Sequence, residues 1–177
     1  IVPRLLARMR EIAPGIHLRL YNVDTSRLLD DLDADEFDLA LSYGPIQQGQ
    51  LHHKQRVLFT ESFLCMFNAE KTGVTPPISL QDYIRLPHVL TSLRPGRSVR
   101  GFVDDALDEL GLHRTVVLTT PRFLTVPYLV AQAPVIVTMG ARLARRFAAD
   151  LGLSLSPPPV KVKDVTVSLL WHASYDH

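Results

Sequence analysis

The chain holds 177 residues, 46% of them hydrophobic and 21% charged, with a formal net charge of +1. That is enough apolar sequence for one domain or two small α/β lobes, while the balanced charge supplies no global attraction for nucleic acid or an acidic membrane. The single cysteine, Cys65, rules out an internal disulfide framework and suits a reducing, cytoplasmic compartment, and no apolar run reaches the roughly 18 residues of a membrane span.

From the first residue, Ile1, Val2, Leu5, Leu6 and Met9 recur at helical spacing among Arg4, Arg8, Arg10 and Glu11, and the helix they predict stops before Pro14 and Gly15. A chain that opens on Ile1 rather than Met, with no secretory h-region, is expected to be a piece of a longer protein. Alternation over 16–21 predicts a strand with Ile16, Leu18 and Leu20 on one face. Thr25 or Ser26 is placed to cap a helix carrying Leu28, Leu29 and Leu32. The FDLAL run at 37–41 predicts a short buried strand, closed by Ser42, Tyr43, Gly44 and Pro45. Helix, strand, helix, strand in this order implies a parallel sheet with helical crossovers.

Beyond a polar loop at 47–53, strands are predicted at 55–59 and 62–67, followed by a turn at 72–77 and a short helix capped by Ser79. A strand ends at 90–92, and the LRPGRS loop at 93–98 leads into an amphipathic helix over 99–110 with Gly111 as its C-cap. Residues 116–132, VVLTTPRFLTVPYLVAQ, read as a strand, a proline-fixed turn and a helix with Arg122 beside its start. In open α/β sheets ligands settle at such a place. A buried strand at 135–139, a helix at 141–151 ended by Gly152, a stiff connector of Pro157, Pro158 and Pro159, and an alternating strand at 165–171 complete the chain. The βα units fall into two groups, so two lobes joined by two crossing segments are expected: lobe I from 1–62 with 163–177, and lobe II from 63–162.

The segments IVPRLLARMREIAPGIHLRL, DEFDLALSYG, GFVDDALDELGLHRTVVLTTPRF, VIVTMGARLARRFAADLGL, PPPVKV and LLWHASY follow one another over essentially the whole chain. In that order they resemble the effector-binding domain of LysR-type transcriptional regulators. GFVD, GLHR, PRF and LLWH are most similar to the branch that answers aromatic acids, nitroaromatic compounds or flavonoids. The resemblance implies an α/β fold of two Rossmann-like lobes, the periplasmic-binding-protein type 2 fold, and a β-strand ahead of the first helix where this sequence has none. It also implies a homodimer paired through the first helix against the second lobe, with a tetramer through linker helices frequent in full-length members. DNA binding is then expected only through an N-terminal winged helix-turn-helix that this chain does not include. A solute-binding protein of a transport system, built on the same fold, is the rival expectation.

The candidate site follows from residue chemistry at the loops facing the cleft. Arg94, Arg97 and Arg100 surround LRPGRS and Arg122 sits in the later turn; a guanidinium fork pairs bidentately with a carboxylate, the alternative being that most are solvated loop charges, so one or two at most are expected to touch ligand, with Arg100 and Arg122 the preferred pair. Ser42, Tyr43 and Phe123 offer hydroxyl and aromatic contacts, although Phe123 can equally belong to the core of its helix. Thr91, Ser92 and Thr138 lie near strand ends, where a hydroxyl serves a ligand or a cap. The expected set is therefore Ser42, Tyr43, Thr91, Ser92, Arg97, Arg100, Arg122, Phe123 and Thr138, around an aromatic carboxylate or a related effector.

Catalysis is not expected. Cys65 sits in the apolar SFLCMF run, and His52, His53, His88, His113, His172 and His177 are scattered without metal-ligand spacing. Asp104, Asp105 and Asp108 read as the wet face of one helix, and Arg142, Arg145 and Arg146 as a solvated basic face. With no Walker loop, GxGxxG or GxSxG, neither a metal nor a cofactor is expected.

Overall fold

A computed structural model describes residues 1–23, 26–44, 52–92 and 100–175, and among them eight strands fall into two sheets. The smaller sheet runs in the order β1 (Ala40–Tyr43), β8 (Val165–His172), β2 (His53–Glu61), with both pairings antiparallel. Helix α2 (Leu28–Asp33) seals it by packing Leu28 and Leu32 against Ala40 and Leu170. Arg27, rather than Thr25 or Ser26, is the N-cap of α2, and Thr25 lies outside the described residues.

This sheet differs from the parallel one implied by element order, because the C-terminal strand β8 returns and inserts between β1 and β2. Residues 16–21 form no strand among the described residues, and Ile16 and Leu20 are exposed. Alternation selects a face, but a strand also needs a ladder partner for its N–H and C=O groups, and this segment has none among the described residues. Strand β1 starts at Ala40 rather than 37 because the chain is still turning: Asp35 has φ +55° and the Glu36 N–H reaches back to the Asp31 carbonyl. Helix α1 (Val2–Ile12) buries none of its residues in this fold.

The larger sheet has the order β5 (Thr115–Thr120), β4 (Pro87–Thr91), β6 (Ile136–Gly140), β3 (Phe63–Phe67), β7 (Ser154–Ser156). Strands β4, β5 and β6 are parallel, whereas β3 runs against both β6 and β7. Both faces are covered, which explains the near-continuous apolar runs of β3 and β6. On one face Phe67, Tyr83 and Ile136 meet Val103 and Leu107, with α4 (Leu80–Arg85) and α5 (Phe102–Asp108) supplying the helical side. On the other, Met66, Val89, Val137 and Met139 meet Val126 and Val130 of α6 (Val126–Gln132) and Ala144 and Ala148 of α7 (Ala141–Leu151). The short α3 (Ala69–Thr72) follows β3 and is capped by Asn68.

Local signals held where a cap decides the boundary. The Ser79 hydroxyl accepts the Asp82 N–H at 3.0 Å and starts α4, and Gly152, at φ +63°, ends α7 in the left-handed region that favours glycine.

The two α/β lobes are joined by two crossings. Only Ser62 separates β2 of the first sheet from β3 of the second, while residues 157–164 carry the chain back from β7 to β8. Helix α7 grips the first crossing with successive backbone groups: the Ala141 N–H donates to the Ser62 carbonyl at 2.8 Å and the Arg142 N–H to Glu61 Oε1 at 3.1 Å.

Candidate functional site

Parallel strands bring their carboxyl ends to one edge. In lobe II, Thr91 lies beside Thr120 in register, the Ser92 N–H donates to the Thr120 carbonyl at 3.2 Å, and β6 ends at Gly140 on the same edge. In lobe I, β1 ends at Tyr43, whose hydroxyl reaches across so closely that a Cβ on Gly140 would stand 3.0 Å from it. The strand ends of both lobes therefore converge beside the Ser62 crossing, where an open α/β architecture receives a ligand.

The junction at the crossing is polar and organised. Glu61 is buried, with its carboxylate against the N-terminus of α7 and 3.6 Å from Arg142 Nε; the Arg142 guanidinium lies 4.1 Å over the Phe59 ring. Burial, reinforced by the Glu61 carboxylate, pushes the Tyr43 hydroxyl up to about 12, so it remains a proton donor at neutral pH. Glu61 had no place in the expected set. Its sequence signal is an acidic residue at the boundary of two strands, set immediately before an apolar run.

The expected residues divide by placement. Ser42 is buried and Tyr43 half-exposed at the end of β1; Thr91 and Ser92 are partly buried at the end of β4. Arg122 is exposed in the turn after β5, its N–H held by Thr120 Oγ1 at 3.1 Å, and Phe123 is partly buried beside it. Arg94 and Arg97 lie outside the described residues. Arg100 donates to Asp105 at 3.0 Å and Asp108 at 2.6 Å, an exposed arrangement that turns its guanidinium along α5. The Thr138 hydroxyl is 2.7 Å from Tyr83 Oη and 3.5 Å from Cys65 Sγ, so its polar atom is committed to the interior of lobe II.

That interior holds a second network. Asp104, read from sequence as part of a wet helix face, turns inward and receives Arg114 as a fork, Nε to Oδ1 and Nη2 to Oδ2 both at 2.8 Å; it also accepts the Gly101 N–H at 2.6 Å, closing the start of α5. Burial opposes the charge on Asp104, but these hydrogen bonds outweigh it and hold its carboxyl below the ordinary range. His88, fully buried, meets the Tyr83 carbonyl through Nε2 at 2.6 Å, and burial drives it down to about 4. Burial likewise pushes the Cys65 thiol up to about 12, which makes it an inert packing group.

Strand ends of two lobes meeting beside their crossing are the arrangement of two-lobed small-molecule binding domains. Within that class the chain belongs to the LysR substrate binding domain family, whose model matches residues 1–177. It is 31% identical to the HTH-type transcriptional activator NagR of Ralstonia sp. across 99% of this chain and 57% of that protein. It is 30% identical to the HTH-type transcriptional regulator SyrM of Rhizobium meliloti across 97% of this chain and 52% of that one. The chain thus spans a little over half the length of these relatives. Among solved structures, the regulatory domain of MexT, a transcriptional activator in Pseudomonas aeruginosa, superposes with a TM-score of 0.83 at 26% identity, covering 100% of this chain and 85% of that one. These relatives are named as transcriptional regulators, and the transport reading finds no support among them. No helix among the described residues is long and apolar enough to cross a membrane.

Proposed function

We propose that this chain is the effector-sensing part of a LysR-type transcription factor, working in the cytoplasm and binding a small aromatic anion between lobe I (1–62 and 163–177) and lobe II (63–162). The observation that carries this reading is the approach of Tyr43 to Gly140, which brings strand ends of both lobes to one gap. Around it Ser42, Tyr43, Thr91 and Ser92 supply hydrogen-bonding groups, Phe123 an aromatic wall and Arg122 the cation; Arg97, outside the described residues, and Arg100, once released from Asp105 and Asp108, are further candidate cations. Thr138 joins only if it gives up its bond to Tyr83. The aromatic preference is supported by the likeness of GFVD, GLHR, PRF and LLWH to the branch of the family that answers such compounds.

The effector favours one lobe arrangement over another, and that difference in affinity is the whole of the signal. In the full-length protein the signal passes to DNA through an N-terminal winged helix-turn-helix, within a homodimer or a tetramer. The exposed apolar residues of α1, Leu5 and Leu6 among them, supply a dimer surface.

Calorimetric titration of benzoates, salicylates and flavonoids tests the reading: at least one binds, and Arg122→Ala weakens it roughly 10- to 100-fold through loss of a charge-assisted hydrogen bond. Binding of a neutral sugar with no response to any aromatic acid would overturn the aromatic assignment. Unchanged affinity in Arg122→Ala would remove Arg122 from the site.

A further inference from the structure

At the end of the lobe I sheet away from the crossing, side chains from three distant parts of the chain converge. Strands β2 and β8 run antiparallel, so the start of β2 at His53 and the end of β8 at His172 lie together, while Glu61 and Val165 lie at the crossing. With about 3.3 Å of rise per residue, the length of β8 puts this end roughly 23 Å from the crossing. Asp33, the last residue of α2, projects here and its Oδ1 accepts from both His53 Nε2 at 2.7 Å and His52 Nε2 at 3.1 Å. The two imidazole rings are 4.3 Å apart, and the His172 ring lies 5.0 Å from that of His52, steadied by a 2.7 Å hydrogen bond between its Nδ1 and Ser174.

We propose that Asp33, His52 and His53 form a binding site for a divalent transition metal, with Zn²⁺ the fitting ion. One oxygen and two nitrogens lie within 4.8 Å of one another, each on a group that is a metal ligand in its deprotonated or neutral form. Two N–H groups aimed at one carboxylate oxygen are what a single cation replaces: each imidazole carries its remaining proton on Nδ1, and both Nε2 lone pairs turn to the ion. Bonds of about 2.0 to 2.1 Å in a tetrahedral site separate neighbouring ligand atoms by about 3.3 Å, so the contacts at 3.1 Å and 2.7 Å open by about 0.2 and about 0.6 Å. Imidazole and carboxylate without thiolate suit Zn²⁺, Co²⁺ and Ni²⁺ over softer ions. The His53 side chain is 6% exposed whereas those of His52 and Asp33 are 36% and 37% exposed, so the site is anchored from inside and open to entry from solvent, with water completing the coordination. No linear spacing announces it, because Asp33 stands 19 and 20 residues before the two histidines and arrives through the packing of α2.

The site is independent of the effector reading, so either stands if the other fails. Full-length protein, stripped with chelator and checked by circular dichroism, is titrated with ZnCl₂ in a calorimeter and with CoCl₂ in a spectrophotometer. One Zn²⁺ per chain binds and raises the unfolding temperature, and Co²⁺ gives the intense visible absorption of a tetrahedral centre. His52→Gln and Asp33→Asn each weaken Zn²⁺ at least 10- to 100-fold, the loss that removing even an outer partner of a metal brings, while His113→Gln on the other lobe leaves it unchanged. If Asp33→Asn misfolds, His52→Gln alone carries the comparison. No saturable uptake, or uptake unaltered in a folded His52→Gln, His53→Gln double variant, overturns the assignment.

Discussion

At the scale of single residues, the strongest commitments lie in the interior of lobe II rather than in the cleft. Arg114, 2% exposed, is balanced by one carboxylate, Asp104, itself 14% exposed. Asp104→Asn leaves the guanidinium buried without its counter-charge, and a loss of ~3–5 kcal/mol is expected in urea unfolding, whereas Asp105→Asn on the exposed side of α5 leaves the midpoint in place. His88 gives the fold a dependence on pH with a definite sign. Its folded pKa is depressed from 6.5 to about 4, so the unfolded chain takes up a proton that the folded chain refuses. Its contribution is complete above pH 6.5 and is lost as pH falls toward 4, by ~3 kcal/mol in total. Urea unfolding at a series of pH values should show that slope in the parent protein and a shallower one in His88→Gln. None of this was legible from spacing: Asp104, Asp105 and Asp108 look alike in the sequence, and only Arg114, arriving at the head of β5 through the turn at Gly111, distinguishes the first of them.

At the scale of elements, legibility tracked how much of an element's definition is local. Helix α7 occupies the range expected of it, because its apolar stripe and the glycine that ends it are written within one stretch. Segment 16–21 has an equally regular pattern but forms no strand, since pairing depends on a partner that local sequence does not name. The same limit hid the insertion of β8 between β1 and β2. The join between α7 and the lobes makes a testable point of its own. Gly140 has φ −53° and ψ 130°, a conformation open to any residue, so what favours glycine there is space alone. A Cβ would meet Tyr43 Oη at 3.0 Å and Glu61 Cγ at 3.2 Å. Gly140→Ala is expected to cost ~1–3 kcal/mol in thermal unfolding, and Tyr43→Phe in that background to recover part of it.

For the whole molecule, the two-lobed plan was legible because two groups of βα units are separated by segments of distinct composition, whereas the way the lobes touch was not. That contact includes Tyr43, Glu61 and Gly140, which are separated in sequence and meet only when both sheets are in place. On the proposed function, sensing and signalling separate at Ser62. Inserting two glycines after it should leave effector affinity within a few-fold by calorimetry while abolishing effector-dependent transcription from a reporter.

The physical ground is the shortness of that crossing. One residue links the sheets there, its carbonyl is fixed to Ala141, and the other crossing contains three prolines that resist bending. Two such tethers side by side resist sliding and splaying and favour rotation about the line between them. On the proposed function, what an effector delivers to the rest of the protein is a torque about that axis, and its useful output is an angle.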